Sequence, residues 1–509
     1  MLIHQFLEKN AQRNPDKTAV VFQGARLTYG EINEKANVLA NALIKAGLSR
    51  NDRVAIFFDN SIESIISIYG VLKAGGIFST ISPTIKSKKL EYIINNLEAS
   101  FLLSHVSKLA SINEIIEQCT TLKKAVIASL PENEEKNNII LWEHFLEGSS
   151  PDNPVAKSID IDLANIIYTS GSTKDPKGVM MTHLSMRSAA QSIIQYLEYN
   201  EHDVIIDVLP LSFDYGLYQV IMGFICGATI VLEKSFIYPY QVIDRINKEK
   251  VTVFPIVPTI LSLLFQLKDL EKISSPDLRC ITNTGAALPV SHIKKLHDYF
   301  PGVKIYSMYG LTECKRVSYL PPHEILNRPT SVGISMPNQE VFIVDENGNK
   351  VGPGIIGELV VRGANVMKGY WKSEEETAAR LKPGVLPGEK VLYTGDFFKM
   401  DDEGFLYFVS RKDDIIKTRG ERVSPKEIEN TLHEIDGVAE AAIIPVADEV
   451  LGNAIKAFIV RAKDGSVEEN DVINYCKANL EVFMVPKYVE FIDSFQKTSS
   501  GKIDKKVLK

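Results

Sequence analysis

Cysteine is scarce in this chain, and what there is lies scattered. Five cysteines (Cys119, Cys226, Cys280, Cys314 and Cys476) fall among 509 residues with no CxxC pair and no His/Cys cluster. Neither a disulfide framework nor a zinc site has the spacing it needs, so buried free thiols are expected. An excess of base is also lacking. The 57 Lys and Arg stand against 64 Asp and Glu, a formal charge of -7, which argues against the basic footprint of a nucleic-acid binder. No uncharged apolar run reaches about 18 residues, so no membrane span is expected. The opening "MLIHQFLEKNAQRNPDK" is not the basic-then-apolar pattern of a signal peptide. The closing "KKVLK" matches no peroxisomal or lipidation signal. Together these absences point to a reducing cytoplasm.

What is present is an ordinary soluble composition, 45% hydrophobic and 24% charged, on a chain long enough for two or three domains. Short apolar runs alternate with helical patterns: "RVAIFF", "SIESIISIYGVLKAG" and "FLLSH", then "VIIDVLP", "LYQVIMGFICG" and "ATIVLE", then "VTVFPIVP" and "LRCITNTG". That rhythm predicts an α/β architecture of buried parallel strands covered by helices. From about Glu340 the texture changes. "VFIVDENGNKVGPGIIGELVVRG" carries short alternating strands broken by "NGN" and "GPG", which predicts a small antiparallel sheet or barrel. The charged stretch "SRKDDIIKTRGERVSPKEIE" then precedes a compact α+β tail. It places a boundary near Ser410 to Lys412, with residues 1–409 on one side and 414–509 on the other.

The segment "YTSGSTKDPKG", Tyr168 to Gly178, is small, hydroxylated and glycine-rich. With "ANIIYTS" read as a buried strand and "KGVMMTHLSMRSAAQSIIQYL" as an amphipathic helix, its backbone N–H groups would face an anion. Ser170, Ser172 and Thr173 add hydroxyl donors and Lys177 a point charge. The register is not that of GxxxxGK[ST], so this is no Walker A loop.

Four further motifs follow in order: "YGLTE" (Tyr309 to Glu313), "YTGD" (Tyr393 to Asp396), "RKDDIIKTRGERVSPKEIE" (Arg411 to Glu429) and "KTSSGKIDKK" (Lys497 to Lys506). With the opening loop they resemble the core motifs of the adenylate-forming superfamily, which includes acyl-CoA synthetases, the adenylation domains of peptide synthetases, and luciferases. The resemblance runs from "LTYGEINEKANVLANAL" to Lys502, essentially the whole chain. It implies a large N-terminal domain of stacked parallel-sheet subdomains plus a small β-barrel, followed by a mobile α+β C-terminal domain, with 410–413 as the hinge. It implies activation of a carboxylate by ATP and Mg²⁺ to an acyl-adenylate and pyrophosphate, then transfer to a thiol of coenzyme A or of carrier-protein phosphopantetheine.

The resemblance also implies residue roles. Thr169, Ser170, Gly171, Ser172, Thr173 and Lys177 would hold the β- and γ-phosphates, and Thr312 the α-phosphate. Glu313 would help hold Mg²⁺ and Tyr309 would stack on adenine, with Gly285, Ala286 and Gly310 also at the nucleotide. Asp396 would accept hydrogen bonds from the ribose hydroxyls, and Arg411 would orient ribose and phosphates. Lys502 matches the lysine that reaches both carboxylate and phosphate, and Asp413 the hinge residue. Lys417, Gly420 and Arg422 would face the incoming thiol, with Lys417 counted among the catalytic groups. The family pattern TSG[ST]TGxPKG has glycine where this chain has Lys174. That lysine either points into solvent or adds a cation near the γ-phosphate.

The acid is harder to read. In "LPLSFDYGLYQV", Asp214 falls where amino-acid-activating members bind the substrate α-ammonium, since a carboxylate in an apolar pocket needs a partner. Its other reading is N-cap of the helix "YGLYQVIMGF". The remaining pocket residues by alignment are Tyr215, Tyr218, Thr282, Thr284, Met308, Arg316 and Val317, which suit a medium-sized, moderately polar acid. Arg316 would pair with a second acidic or phosphate group, or lie on the surface. Cys314 and His183 read as structural. "NTGAALP" and "YGLTE" look like acyl-CoA synthetases, whereas "KTRGERVSPKEIE" is similar to the amino-acid group. The expectation is a ligase that adenylates an amino acid or other polar acid and loads it onto a separate acyl or peptidyl carrier protein. A synthetase releasing free CoA thioester is the alternative, and a catalytically inactive nucleotide-binding relative the alternative of another class.

Overall fold

The structure is a computed structural model. It describes the chain except residues 137, 170–174, 268–275, 413–415, 419–420, 449–451, 463–464, 499–502 and 509, and the side chains of Lys417, Glu421, Arg422 and Lys506. Among the described residues two large sheets dominate. The nine-stranded sheet has a parallel centre. Val253–Ile256, Cys280–Asn283 and Lys304–Tyr309 pair in parallel, as do Val204–Asp207 and Thr229–Leu232. The eight-stranded sheet is parallel through Arg53–Phe57, Ile77–Thr80, Ala99–His105 and Lys124–Ala128. These strands are the apolar runs read from the sequence, buried on both faces as parallel sheets require. Helices Tyr29–Lys45, Ile62–Lys73, His183–Leu197 and Asp214–Cys226 fill the space between the sheets. Tyr29 and Tyr69 meet Phe224 there, with ring centroids 5.3 and 5.1 Å apart.

The expected antiparallel sheet or barrel is a five-stranded antiparallel sheet built on Gln339–Val344, Gly357–Gly363 and Lys390–Met400. The tail has its own core. Val438–Asp448, Gly452–Arg461 and Tyr488–Phe491 form a three-stranded sheet, on which helices Pro425–Leu432 and Glu469–Asn479 pack through Ile428, Leu432, Val472 and Cys476. No helix among the described residues is long and apolar enough to cross a membrane. All five cysteines are free thiols, four buried and Cys226 half-buried.

One element differs from its sequence reading, and the difference matters for the site. Residues after the glycine-rich loop form a strand, Lys177–Thr182, antiparallel to Leu163–Thr169 with Thr169 opposite Lys177. The helix begins only at His183, where Thr182 accepts the Ser185 amide and closes a capping box. "GVMMT" alternates, with Val179 and Met181 fully buried between the sheets and Met180 on the opposite face, so packing with period two overrides helix propensity. The glycine-rich segment therefore lies between two strands, and no helix starts directly after it.

His183 is buried, accepts the Ile3 amide, and meets His4 edge-on with ring centroids 5.9 Å apart. Burial pushes His183 down to about 4, against the pull of Asp162 and Asp160, with the N-terminus and Arg187 also facing it. Burial likewise takes His4 to about 3, helped by His183 and Lys73. Both folded-state values lie below the unfolded value of about 6.5. The unfolded chain therefore takes up protons first as pH falls. Stability is intact above about pH 6.5 and is lost from there toward pH 4, by up to about 1.4 kcal/mol per pH unit for each group. Urea midpoints should fall between pH 7 and pH 5, and His183→Gln should lose less over that interval. An equal loss in that variant removes His183 from the acid sensitivity.

Candidate active site

The site collects where open α/β sheets place ligands, at the carboxyl ends of parallel strands. The strand Lys304–Tyr309 ends on Tyr309, and the chain folds back so that Val317 donates its amide to the Tyr309 carbonyl. Gly310 makes this return possible. A Cβ there would lie 2.3 Å from the Lys315 carbonyl oxygen and 2.8 Å from the Arg316 Cα. The resulting loop, 310–316, presents chemistry at two ends.

At one end, Tyr309 donates its hydroxyl to Asp396 Oδ2 at 2.5 Å. Asp396 lies opposite Arg411 across the strand pair Lys390–Met400 and Leu406–Arg411, and Arg411 Nε stands 3.8 Å from its Oδ1. Burial first, then the Asp396 carboxylate, holds the Tyr309 hydroxyl well above the usual phenol range, so it stays a donor. Phe398 and Phe408 brace the ring, at centroid distances of 4.8 and 6.4 Å. Glu313 accepts the Tyr370 hydroxyl at 2.7 Å. Lys177 stands 5.9 Å from the Tyr370 ring centroid and pairs with Glu376 at 2.5 Å. Thr169 and Lys177 thus form the base of the glycine-rich loop, beside the Glu313–Tyr370 pair. Gly285 adopts φ +86°, which favours glycine, and Asn283 donates to the Ala286 carbonyl at 2.9 Å. Thr312 is half-buried on the loop itself.

At the other end the expected acid-pocket residues come together. Tyr215 hydrogen-bonds both the carbonyl and the hydroxyl of Thr282, at 2.7 and 2.6 Å. Arg316 is buried, donates to the Thr284 hydroxyl, and lies 5.3 Å from the Tyr215 ring centroid. Tyr196, from the helix His183–Leu197, bonds the Met308 sulfur at 3.0 Å and lies near Arg316. Val317 and Cys314 are fully buried, and burial raises the Cys314 thiol so far that it stays protonated.

Asp214 is not the N-cap that one of its two sequence readings made it. The N-cap position belongs to Phe213, and Asp214 is the first residue of the helix. Its carboxylate instead pairs with Lys315 Nζ at 2.9 Å, a lysine whose side chain is 2% exposed. Lys315 also lies 5.6 Å from the Tyr218 ring centroid. The sequence reading passed over Lys315, since a lysine beside an arginine in "ECKRV" reads as surface. Tyr370 and Glu376 were missed as well, since they lie far from any recognised motif.

Ser170, Gly171, Ser172, Thr173, Lys174, Asp413, Gly420 and Lys502 lie outside the described residues. Lys417 and Arg422 face each other across the hairpin Ile416–Thr418 and Glu421–Val423, with their side chains undescribed.

The family of AMP-binding enzymes matches residues 7–371, and the AMP-binding enzyme C-terminal domain matches residues 427–502. A long-chain-fatty-acid–CoA ligase of Bacillus subtilis (strain 168) is 31% identical over 535 residues, covering 98% of this chain and 93% of that protein. Gramicidin S synthase 2 of Brevibacillus brevis is 30% identical over 513 residues; the match covers 99% of this chain but 11% of that protein. Among solved structures, the anthranilate CoA ligase AuaEII in complex with anthranoyl-AMP superposes with a TM-score of 0.91 at 26% identity, over 99% of this chain and 95% of that one.

Proposed function

The chain belongs to the family of AMP-binding enzymes, and we propose on that premise that the loop 310–316 holds nucleotide and acid together. It is an AMP-forming acid–thiol ligase, and the observation that carries the residue assignment is this loop's two ends. The Tyr309–Asp396 pair and Glu313 stand at one end, and the Asp214, Lys315 and Arg316 charges at the other. A carboxylate held at the second end can meet an α-phosphate held at the first. The enzyme must offset the repulsion between an anionic nucleophile and phosphate oxygens, so cations and donors fixed in advance supply most of the catalysis.

In this reading Tyr309, its hydroxyl anchored on Asp396, presents a fixed face to adenine. Asp396 and Arg411 take the ribose, Thr312 the α-phosphate, and the loop 169–177 the outer phosphates. Glu313 is the carboxylate that would hold Mg²⁺, with the nucleotide's phosphates as further ligands, the usual arrangement for this ion. Among the described residues no three His, Cys, Asp or Glu side chains converge into a protein-only site, which agrees with an ion shared with phosphate. Mg²⁺ supplies charge neutralisation at the phosphates. Residues 1–409 form the adenylating unit and 414–509 the moving one, turning about 410–413 on Asp413 so that Lys502 and the loop bearing Lys417, Gly420 and Arg422 visit the site in turn.

The acceptor is a pantetheine thiol. The match along nearly the whole length of a CoA ligase favours coenzyme A, and the match of nearly the whole chain to one segment of a gramicidin synthase favours a carrier protein. Acid-dependent ATP–pyrophosphate exchange across a broad panel of acids tests the ligase reading, and no exchange with any acid would sink it. Supplying coenzyme A or a phosphopantetheinylated carrier in turn then separates the acceptors. Lys177→Ala should raise the KM for ATP roughly 10- to 100-fold, as expected for a lost charged hydrogen bond. An unchanged KM takes Lys177 out of nucleotide binding.

A further inference from the structure

We propose that the acid pocket takes a carboxylic acid bearing a second carboxylate, held by Arg316, and that it rejects α-amino acids because Lys315 already fills the ammonium position at Asp214. The inference rests on the ligase reading above and narrows its substrate.

The charges in the pocket do not cancel. Two buried cations, Lys315 and Arg316, stand at this end of the loop, and among the described residues Asp214 is the one carboxylate paired with either. Lys315 takes that carboxylate at 2.9 Å. Its backbone sits at φ 68°, a left-handed conformation that a lysine rarely adopts. Its carbonyl lies so close over Gly310 that the loop allows little other placement. The lysine is therefore built into the pocket. An incoming α-ammonium would have to share that carboxylate with it, placing two ammonium groups beside one carboxylate in a pocket that also holds a guanidinium.

Arg316 is 4% exposed, and among the described residues no carboxylate lies within ion-pair distance of it. Its hydrogen-bond partner is the neutral hydroxyl of Thr284, with the Tyr196 hydroxyl nearby. Among the described residues its Nε has no partner, and neither does the buried hydroxyl of Tyr218. A buried guanidinium with an idle donor is costly unless an anion completes it.

The missing anion belongs to the acid and not to ATP. Thr284, Tyr215 and Tyr196 surround the guanidinium, whereas the nucleotide end is built on Asp396, Phe398, Phe408 and Tyr370. The reacting carboxylate does not suffice either. It gives up its charge when the adenylate forms and would leave Arg316 unpaired, while a second carboxylate keeps its charge through both steps. A planar carboxylate also suits the guanidinium fork.

The test is pyrophosphate exchange with straight-chain dicarboxylic acids of graded length. Each is matched with the monocarboxylic acid, the α-amino acid and the ω-phosphono acid of the same chain length. The best diacid should exceed its monoacid in kcat/KM by roughly 10- to 100-fold, the range of a charged hydrogen bond, and α-amino acids should stay at background. Arg316→Gln should raise the KM for the diacid by a similar factor and change the monoacid by less than about threefold. A merely structural arginine would lower both substrates together. Preference for a monoacid, an α-amino acid or the phosphono acid overturns the proposal, as does an equal loss on all substrates in Arg316→Gln. No exchange with any acid, diacids included, overturns the ligase reading and this one with it.

Discussion

Lys502→Ala is expected to lose adenylation by roughly 100- to 1,000-fold, the usual cost of one preorganised donor at a developing charge, while keeping thioester formation from supplied adenylate. The assignment comes from the match of "SSGK" to the family's lysine, and Lys502 itself lies outside the described residues. The described residues on either side of it in sequence are firmly held. Lys497 bridges to Ile503 and pairs with Glu440 at 2.6 Å. Lys505 pairs at 2.6 Å with Glu429 on the helix Pro425–Leu432, whose carboxylate also takes the Ile443 amide. Ile503 and Leu508 pack on Ala442, Ile444, Phe458 and Phe495. The described residues that flank Lys502 in sequence are thus fixed to the tail's own core. One cation about 4 Å from an anion contributes about 4 kcal/mol at an effective dielectric of 20, enough to account for a loss of that size. The measurement is single-turnover adenylate formation beside thioesterification of pre-formed adenylate. Near-normal adenylation would remove Lys502 from the chemistry, and equal losses in both steps would indicate a damaged tail.

What the sequence discloses follows from what the chemistry demands. Tyr309 and Glu313 sit in one short motif and Asp396 in another, and in the proposed function a nucleotide is what requires them. They were legible without coordinates, and so was the parallel-sheet rhythm, which depends only on apolar runs. The strand Lys177–Thr182 was not. "GVMMT" has no β-branched excess to set against a strong helical pattern next to it, and only the cap at Thr182 marks where the helix starts. Lys315 stayed hidden for a different reason. A lysine beside an arginine reads as surface, and its burial follows from a left-handed turn over Gly310 that no residue pattern announces. The partner of Asp214 is therefore a long-range fact, joining residues 101 positions apart. Alignment placed the aspartate and could not place the lysine that answers it.

That pair carries the second large effect. Lys315→Met is expected to cost about 3–5 kcal/mol of stability, because removing one partner of a buried ion pair leaves the other charge uncompensated. Asp214 has few alternatives, since its side chain is 13% exposed and Arg316, the other buried cation of the pocket, is engaged with Thr284. Asp214→Asn combined with Lys315→Met removes both charges and should recover most of the loss. A double-mutant cycle by urea denaturation measures the coupling, and a coupling of less than about 1 kcal/mol, the range of an exposed pair, would mean that solvent screens the two groups. The same variants separate the lysine's structural part from its part in selection. If Lys315 is the built-in counter-ion, Lys315→Met frees the Asp214 carboxylate for a substrate ammonium, and α-amino acids should gain pyrophosphate exchange above background while diacids weaken. The double variant, with no carboxylate left at that position, should lose that gain and keep its stability. Stability and substrate choice would then follow different partners of one ion pair, which a lysine serving only to hold the loop cannot produce.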